Sequence, residues 1–207
     1  MKIRNFNDFI LNEQSLFEEG VKSSNPELTS KLVQLLDEKS EDVNTIKGLI
    51  NRGADINAVD TEKGASVLHF AAMLNSVDLV DFCLKKGIPV DVKSKAKATP
   101  LHWACTNKAL EAVQFLIKNG ADVEAVDENG MTALHHASYT NSIAVAKYLV
   151  SIGANPNAED KNGKTPIELA MEEKAKGTVK ALSSSVDFSN FEFEGKVYDF
   201  SKLIPQT

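Results

Sequence analysis

The sequence predicts an all-α repeat solenoid flanked by non-repeat N- and C-terminal segments. His69, His102 and His135 recur at a step of 33 residues, as do Gly87, Gly120 and Gly153. Between those marks lie paired apolar runs at helical spacing, each too short to bury its own face. Self-similarity at such a period signals units that stack side by side and share one continuous core, with about three or more needed for stability.

The unit is clearest from Ala98 to Asp127. Thr99 followed by Pro100 starts a helix, because a threonine hydroxyl can cap an exposed backbone N–H and proline's fixed φ suits the first helical position. Leu101 and Ala104 share one face of it. A second helix is predicted from about Leu110 to Lys118, with Val113, Leu116 and Ile117 at helical spacing and Lys118 placed favourably at the negative end of the dipole. Gly120 follows the last turn, where a left-handed residue closes a helix. The succession T-P-L-H-x-A, helical run, G-A-D-V resembles the ankyrin repeat. That resemblance implies helix-turn-helix units joined by β-hairpin loops, about five of them, over residues 26–185.

Residues 1–25 lie outside the pattern. Ile3, Phe6, Ile10 and Phe17 mark an amphipathic helical face that Glu13 interrupts, and Gly20 would close the helix. Such a segment can cover the first repeat, dock a partner or fray. Its four acidic residues argue against a mitochondrial transit peptide. Leu11-Asn12-Glu13 and Leu16-Phe17-Glu18 also resemble the Leu-x-Glu sites cut by tailed-phage prohead proteases, a short pattern that recurs by chance.

Residues 26–59 form a degenerate first repeat. Pro26 to Asp37 reads as one helix, with Leu28, Leu32 and Leu35/Leu36 on its face, and Val43, Ile46, Leu49 and Ile50 mark the second. The missing T-P-L-H fits a terminal unit, since outer repeats are atypical. Residues 60–93 carry Ser66-Val67-Leu68-His69 instead, and one extra residue falls in Asp60–Gly64, at a hairpin tip where insertions are tolerated. Residues 94–126 and 127–159 follow the pattern closely. Residues 160–185 begin with Thr165-Pro166-Ile167, replace the histidine by Glu168, and read as the C-terminal cap.

Ser183-Ser184-Ser185 reads as a linker to an aromatic-rich segment, 186–207. There the alternation of Phe191-Glu192-Phe193 and Val197-Tyr198-Asp199 suggests a small hairpin. The two end segments hold eight of the fourteen aromatic residues. Aromatics outside a repeat core bury either on the array's end or in a partner.

Composition narrows the function. A net charge of -6 argues against general nucleic-acid or membrane-surface binding. Cys83 and Cys105 fall at core positions and give no disulfide framework, which points to a reducing compartment. No apolar run reaches transmembrane length, so the expectation is a soluble, cytoplasmic or intracellular protein (a host cell's cytoplasm if its source is a bacterium or virus).

No catalytic, cofactor or metal constellation is legible. The three recurrent histidines stand one helix-packing step apart, roughly 8–10 Å, too far to share a zinc whose ligands lie at about 2.0–2.1 Å. The resemblance implies that they hydrogen-bond within and between repeats. His136 is expected to point elsewhere, towards the inner-helix surface, and Trp103 to pack partly between inner helices.

What the resemblance does imply is a protein partner held by hairpin tips and inner helices. Carried over by position, the inner-helix contacts are Met73, Leu74, Thr106, Asn107, Tyr139 and Thr140. The tip contacts are Lys95, Lys97, Glu128, Asn129, Lys161 and Asn162, in line with Thr61, Glu62 and Lys63 one repeat earlier. Lys85, Lys86, Lys93, Lys95 and Lys97 form a basic cluster suited either to solvent or to an acidic partner patch. Asn75, Lys108 and Asn141 replace a loop glycine common in the family. Lysine tolerates left-handed φ less well than asparagine, so the Lys108 loop is the one expected to depart. The leading expectation is a non-catalytic, monomeric protein-binding module. The alternative is a component of a larger assembly, a virion or effector complex, docked through the aromatic end segments.

Overall fold

A computed structural model describes residues 24–183 and the backbone of residues 192–193 and 196–197. Among the described residues ten helices run in five antiparallel pairs: α1 (Pro26–Asp37) with α2 (Val43–Asn51), α3 (Val67–Met73) with α4 (Val77–Lys85), and α5 (Pro100–Thr106) with α6 (Leu110–Lys118). The series ends in α7 (Ala133–Tyr139) with α8 (Ile143–Ser151), and α9 (Pro166–Glu172) with α10 (Lys176–Leu182). Inner helices α3, α5, α7 and α9 stack in sequence, and outer helices α2, α4, α6, α8 and α10 pack behind them. Beyond the pairs, β1 (Glu192–Phe193) lies antiparallel to β2 (Lys196–Val197). The predicted N-terminal helical face lies outside the described residues.

The core is a single strip of mainly aliphatic side chains, with the Phe70 ring buried among them. Leu32, Leu36, Ile46, Leu68, Leu79, Leu101, Leu116, Leu134, Leu149, Ile167 and Leu182 are fully buried, so every pair contributes to it. Truncating any one to alanine costs about 2–5 kcal/mol, the transfer term plus the cavity left behind.

Each inner helix after the first begins with the same device. Ser66, Thr99 and Thr132 are N-caps in extended conformation, and the third helical residue is a histidine. Nδ1 of His69, His102 and His135 accepts the N-cap backbone N–H at 3.1 Å. The other ring nitrogen, Nε2, lies 3.0 Å from the carbonyl of Ala98, Met131 and Lys164 respectively, each in the following repeat. A carbonyl can only accept, so Nε2 carries the proton and each ring is held as one neutral tautomer. At the last inner helix Glu168 takes the histidine's place, its carboxylate accepting the Thr165 N–H at 2.7 Å. This is the ordinary capping box. A carboxylate has no hydrogen to donate onward, and the ladder of inter-repeat bonds stops there.

The hairpin tips form a second ladder. The N–H of Lys95, Glu128 and Lys161 donates to the carbonyl of Lys63, Ala96 and Asn129, one tip to the next. At the start of the row the Thr61 N–H finds the Asp37 carboxylate instead, at 2.8 Å. Asp60 closes its hairpin on Ala65, whereas Asp127 and Asp160 close on Met131 and Lys164, so the extra residue of the second repeat sits in the tip as predicted.

The loops between paired helices correct one expectation. Lys108 has φ +60°, close to Asn75 at +55° and Asn141 at +52°, with Lys39 and Lys174 alike. The Lys108 loop therefore does not depart: stacking on both sides fixes the left-handed turn, and lysine bears the local strain.

Candidate functional site

A groove of ≈ 670 Å³ runs between the hairpin tips and the inner helices of repeats two to four. Met73, Trp103, Thr106 and His136 line it from α3, α5 and α7, and Asn107 from the C-cap of α5. Glu62, Lys63, Lys95, Ala96 and Glu128 line it from the tips, and Lys39 from the loop after α1.

Its floor is braced by polar bonds within and between repeats. The Thr106 hydroxyl donates to the His102 carbonyl at 2.9 Å and also lies 2.9 Å from His136 Nδ1. His136 Nε2 stands 3.2 Å from the Asp127 carboxylate, and the His102 and His136 rings meet edge-on at 5.0 Å. Burial works to raise the Asp127 pKa, but the His136 contact and the N–H groups of Met131 and Asn129 outweigh it and bring it down to about 2. Burial pushes His69 and His102 down to about 4 and also lowers His135. These three are structural, neutral groups and not acid–base candidates.

Trp103 is half-buried. It meets His69 edge-on at 5.4 Å and Phe70 at 5.5 Å, and the Lys63 ammonium lies 5.5 Å from its ring centroid. The tip of the third repeat has neither the aspartate nor the glycine of its neighbours. Ser94 stands where Asp60, Asp127 and Asp160 each accept two tip N–H groups, and Lys97 adopts φ +57° where the other tips have glycine. The Lys95 ammonium compensates by donating to the carbonyls of Thr61 and Glu62, at 2.9 and 3.2 Å.

Of the twelve contacts expected from position, the groove gathers Met73, Lys95, Thr106, Asn107 and Glu128. Leu74 lies outside the groove, in an adjoining depression with Asn75 and Ser76 that shares Met73 and Asn107 with it. Tyr139 is 53% exposed on α7, and Lys97, Asn129, Lys161 and Asn162 are exposed along the tips. Thr140 is half-buried, with its hydroxyl donating to the His136 carbonyl. Lys39, Trp103 and His136 line the groove and are absent from the positional list. Trp103 and His136 stand at the same place in successive repeats and differ from each other, a signal available in the sequence.

Three lysines of the basic cluster have partners of their own within the chain. Lys85 pairs with Asp81, Lys86 lies over the Phe82 ring, and Lys95 is bound to the neighbouring tip. Burial pushes the Cys83 thiol up to about 12 and Cys105 higher still. Among the described residues no group of histidine, cysteine and carboxylate side chains has an arrangement able to hold a metal ion, and no helix is long and apolar enough to cross a membrane.

The family model described as ankyrin repeats (3 copies) matches residues 35–127 and 111–191. No curated protein matches the chain.

Proposed function

We propose, for a chain that belongs to the ankyrin-repeat family, a non-catalytic role: holding a protein partner in the groove between hairpin tips and inner helices. Ankyrin repeats are generally protein–protein interaction modules. One observation carries the finer reading. Within a frame whose core and capping residues recur, the groove collects Met73, Trp103, Asn107 and Lys63, none repeated in the adjacent units. The tip ladder and the histidine bridges hold this surface rigid before any partner arrives, which limits the ordering cost of association.

The test is partner capture by the full-length chain carrying Met73→Glu or Asn107→Ala, with helical content checked by circular dichroism. Loss of capture with folding intact supports the groove. Retention of capture by both variants argues for the second reading, docking into a larger assembly through the end segments. The concentration of eight of fourteen aromatics in those segments favours that alternative. In that case deletion of residues 186–207 abolishes capture and the groove substitutions do not.

A further inference from the structure

Resting on that reading of the groove, we propose that its occupant is a partner peptide with an apolar side chain flanked by one or two carboxylates. The apolar element of the site is Met73 together with the accessible part of the Trp103 indole. Five charged side chains surround it: Lys39, Lys63, Lys95, Glu62 and Glu128. Their states differ. Lys95 is taken up by the carbonyls of the preceding tip. Lys63 lies over the indole at 5.5 Å and, like Lys39, has no carboxylate partner among the described residues.

A cation held against the aromatic anchor couples the two halves of recognition. An apolar side chain that enters beside Trp103 brings its neighbouring residues to the Lys63 ammonium, and a carboxylate there gains an ion pair at the edge of a partly dry surface. Lys39 offers a second such position. Glu62 and Glu128 work against a long acidic run, so the groove fits a short acidic flank and disfavours a polyanion. On a chain of net charge -6, this preference is local and opposite to that of the whole surface.

Trp103 is the chain's single tryptophan, so its emission reports on the groove in the full-length protein. The probes are three sets of dodecapeptides with a central leucine or phenylalanine flanked by Asp/Glu, by Asn/Gln or by Lys/Arg. The acidic set is expected to perturb Trp103 emission at roughly five- to tenfold lower concentration than the amide set, and the basic set to bind most weakly. The preference should vanish in the Lys39→Gln/Lys63→Gln double variant and shrink as salt is raised. Equal responses to acidic and amide sets overturn the proposal. So does a preference that survives the double variant, or silence of Trp103 to all three sets. Acidic peptides that act only after deletion of residues 186–207 identify the chain's own C-terminal segment as occupant and overturn a partner peptide. The broader reading fails separately, when groove substitutions leave partner capture intact.

Discussion

The side-chain carbonyl of Asn75 accepts the backbone N–H of Ala112 at 2.9 Å, across the boundary between two repeats. Asn141 does the same for Thr178, at 3.3 Å. The helices that receive these bonds, α6 and α10, have Ala109 and Ala175 at the N-cap, which have no capping side chain of their own. The preceding repeat supplies the cap. Where the loop residue is lysine, at Lys39 and Lys108, the outer helix of the following repeat has serine at its N-cap: Ser76 accepts the Leu79 N–H at 3.3 Å, whereas Ser142 makes no side-chain cap bond.

Two substitutions to the same residue should therefore move stability in opposite directions. Lys108→Gly relieves a left-handed lysine and is expected to stabilise the chain by about 0.5–1 kcal/mol after the glycine's extra unfolded-state freedom is discounted. Asn75→Gly keeps the turn but removes the cap from α6, a loss of about 1 kcal/mol. Urea unfolding of the two variants against the parent measures both. Shifts of the same sign would remove the capping role.

Acid should weaken the array in a defined window. His69 and His102 titrate near 6.5 when unfolded and at about 4 when folded. Between those values the unfolded chain binds more protons, so stability is fully present above pH 6.5 and declines as pH falls towards 4. The limiting loss is about 3 kcal/mol per histidine. Asp127 adds its own decline only lower, as pH falls from 3.8 towards about 2. Urea midpoints at pH 7, 5.5 and 4.5 should fall steadily, and His102→Gln should flatten the slope. A midpoint independent of pH over that range would contradict the neutral, buried assignment.

Ser138 Oγ is buried and has no hydrogen-bond partner among the described residues. Its counterparts in the two preceding repeats are Cys105 and Ala72, both fully buried. Ser138→Ala should raise stability by about 1 kcal/mol, because it removes an unsatisfied hydroxyl with little change in volume. Destabilisation of similar size would mean that the hydroxyl is solvated in solution.

The thiols offer a simple check on core packing. With both pKa values pushed up by burial, Cys83 and Cys105 should resist an aromatic disulfide reagent in the native state and react once the chain is denatured. Rapid labelling of either in the native protein would place it in a region that opens readily.

Much of the frame was readable from residue spacing. The start of α5 at Thr99-Pro100, the span Leu110–Lys118 of α6 and the long insertion-bearing tip all follow from local chemistry. The groove was only half readable. Its membership depends on how far one repeat is displaced from the next, which no single unit encodes. Thus Lys95 was legible as a tip residue, but the engagement of its ammonium by the carbonyls of Thr61 and Glu62 was not. The Asn75–Ala112 bond did leave a trace in the sequence. Asparagine loops precede outer helices with alanine at the N-cap, and lysine loops precede those with serine there.

The most direct test of the central claim is site-specific photo-crosslinking in the full-length protein, with the photoreactive residue at Asn107 in the groove or at Lys147 on the opposite, outer-helix face. Both positions are exposed. The account predicts that the partner is crosslinked from position 107 and not from position 147. Crosslinks from 147 alone, or from neither position while a probe in residues 186–207 captures the partner, would contradict it.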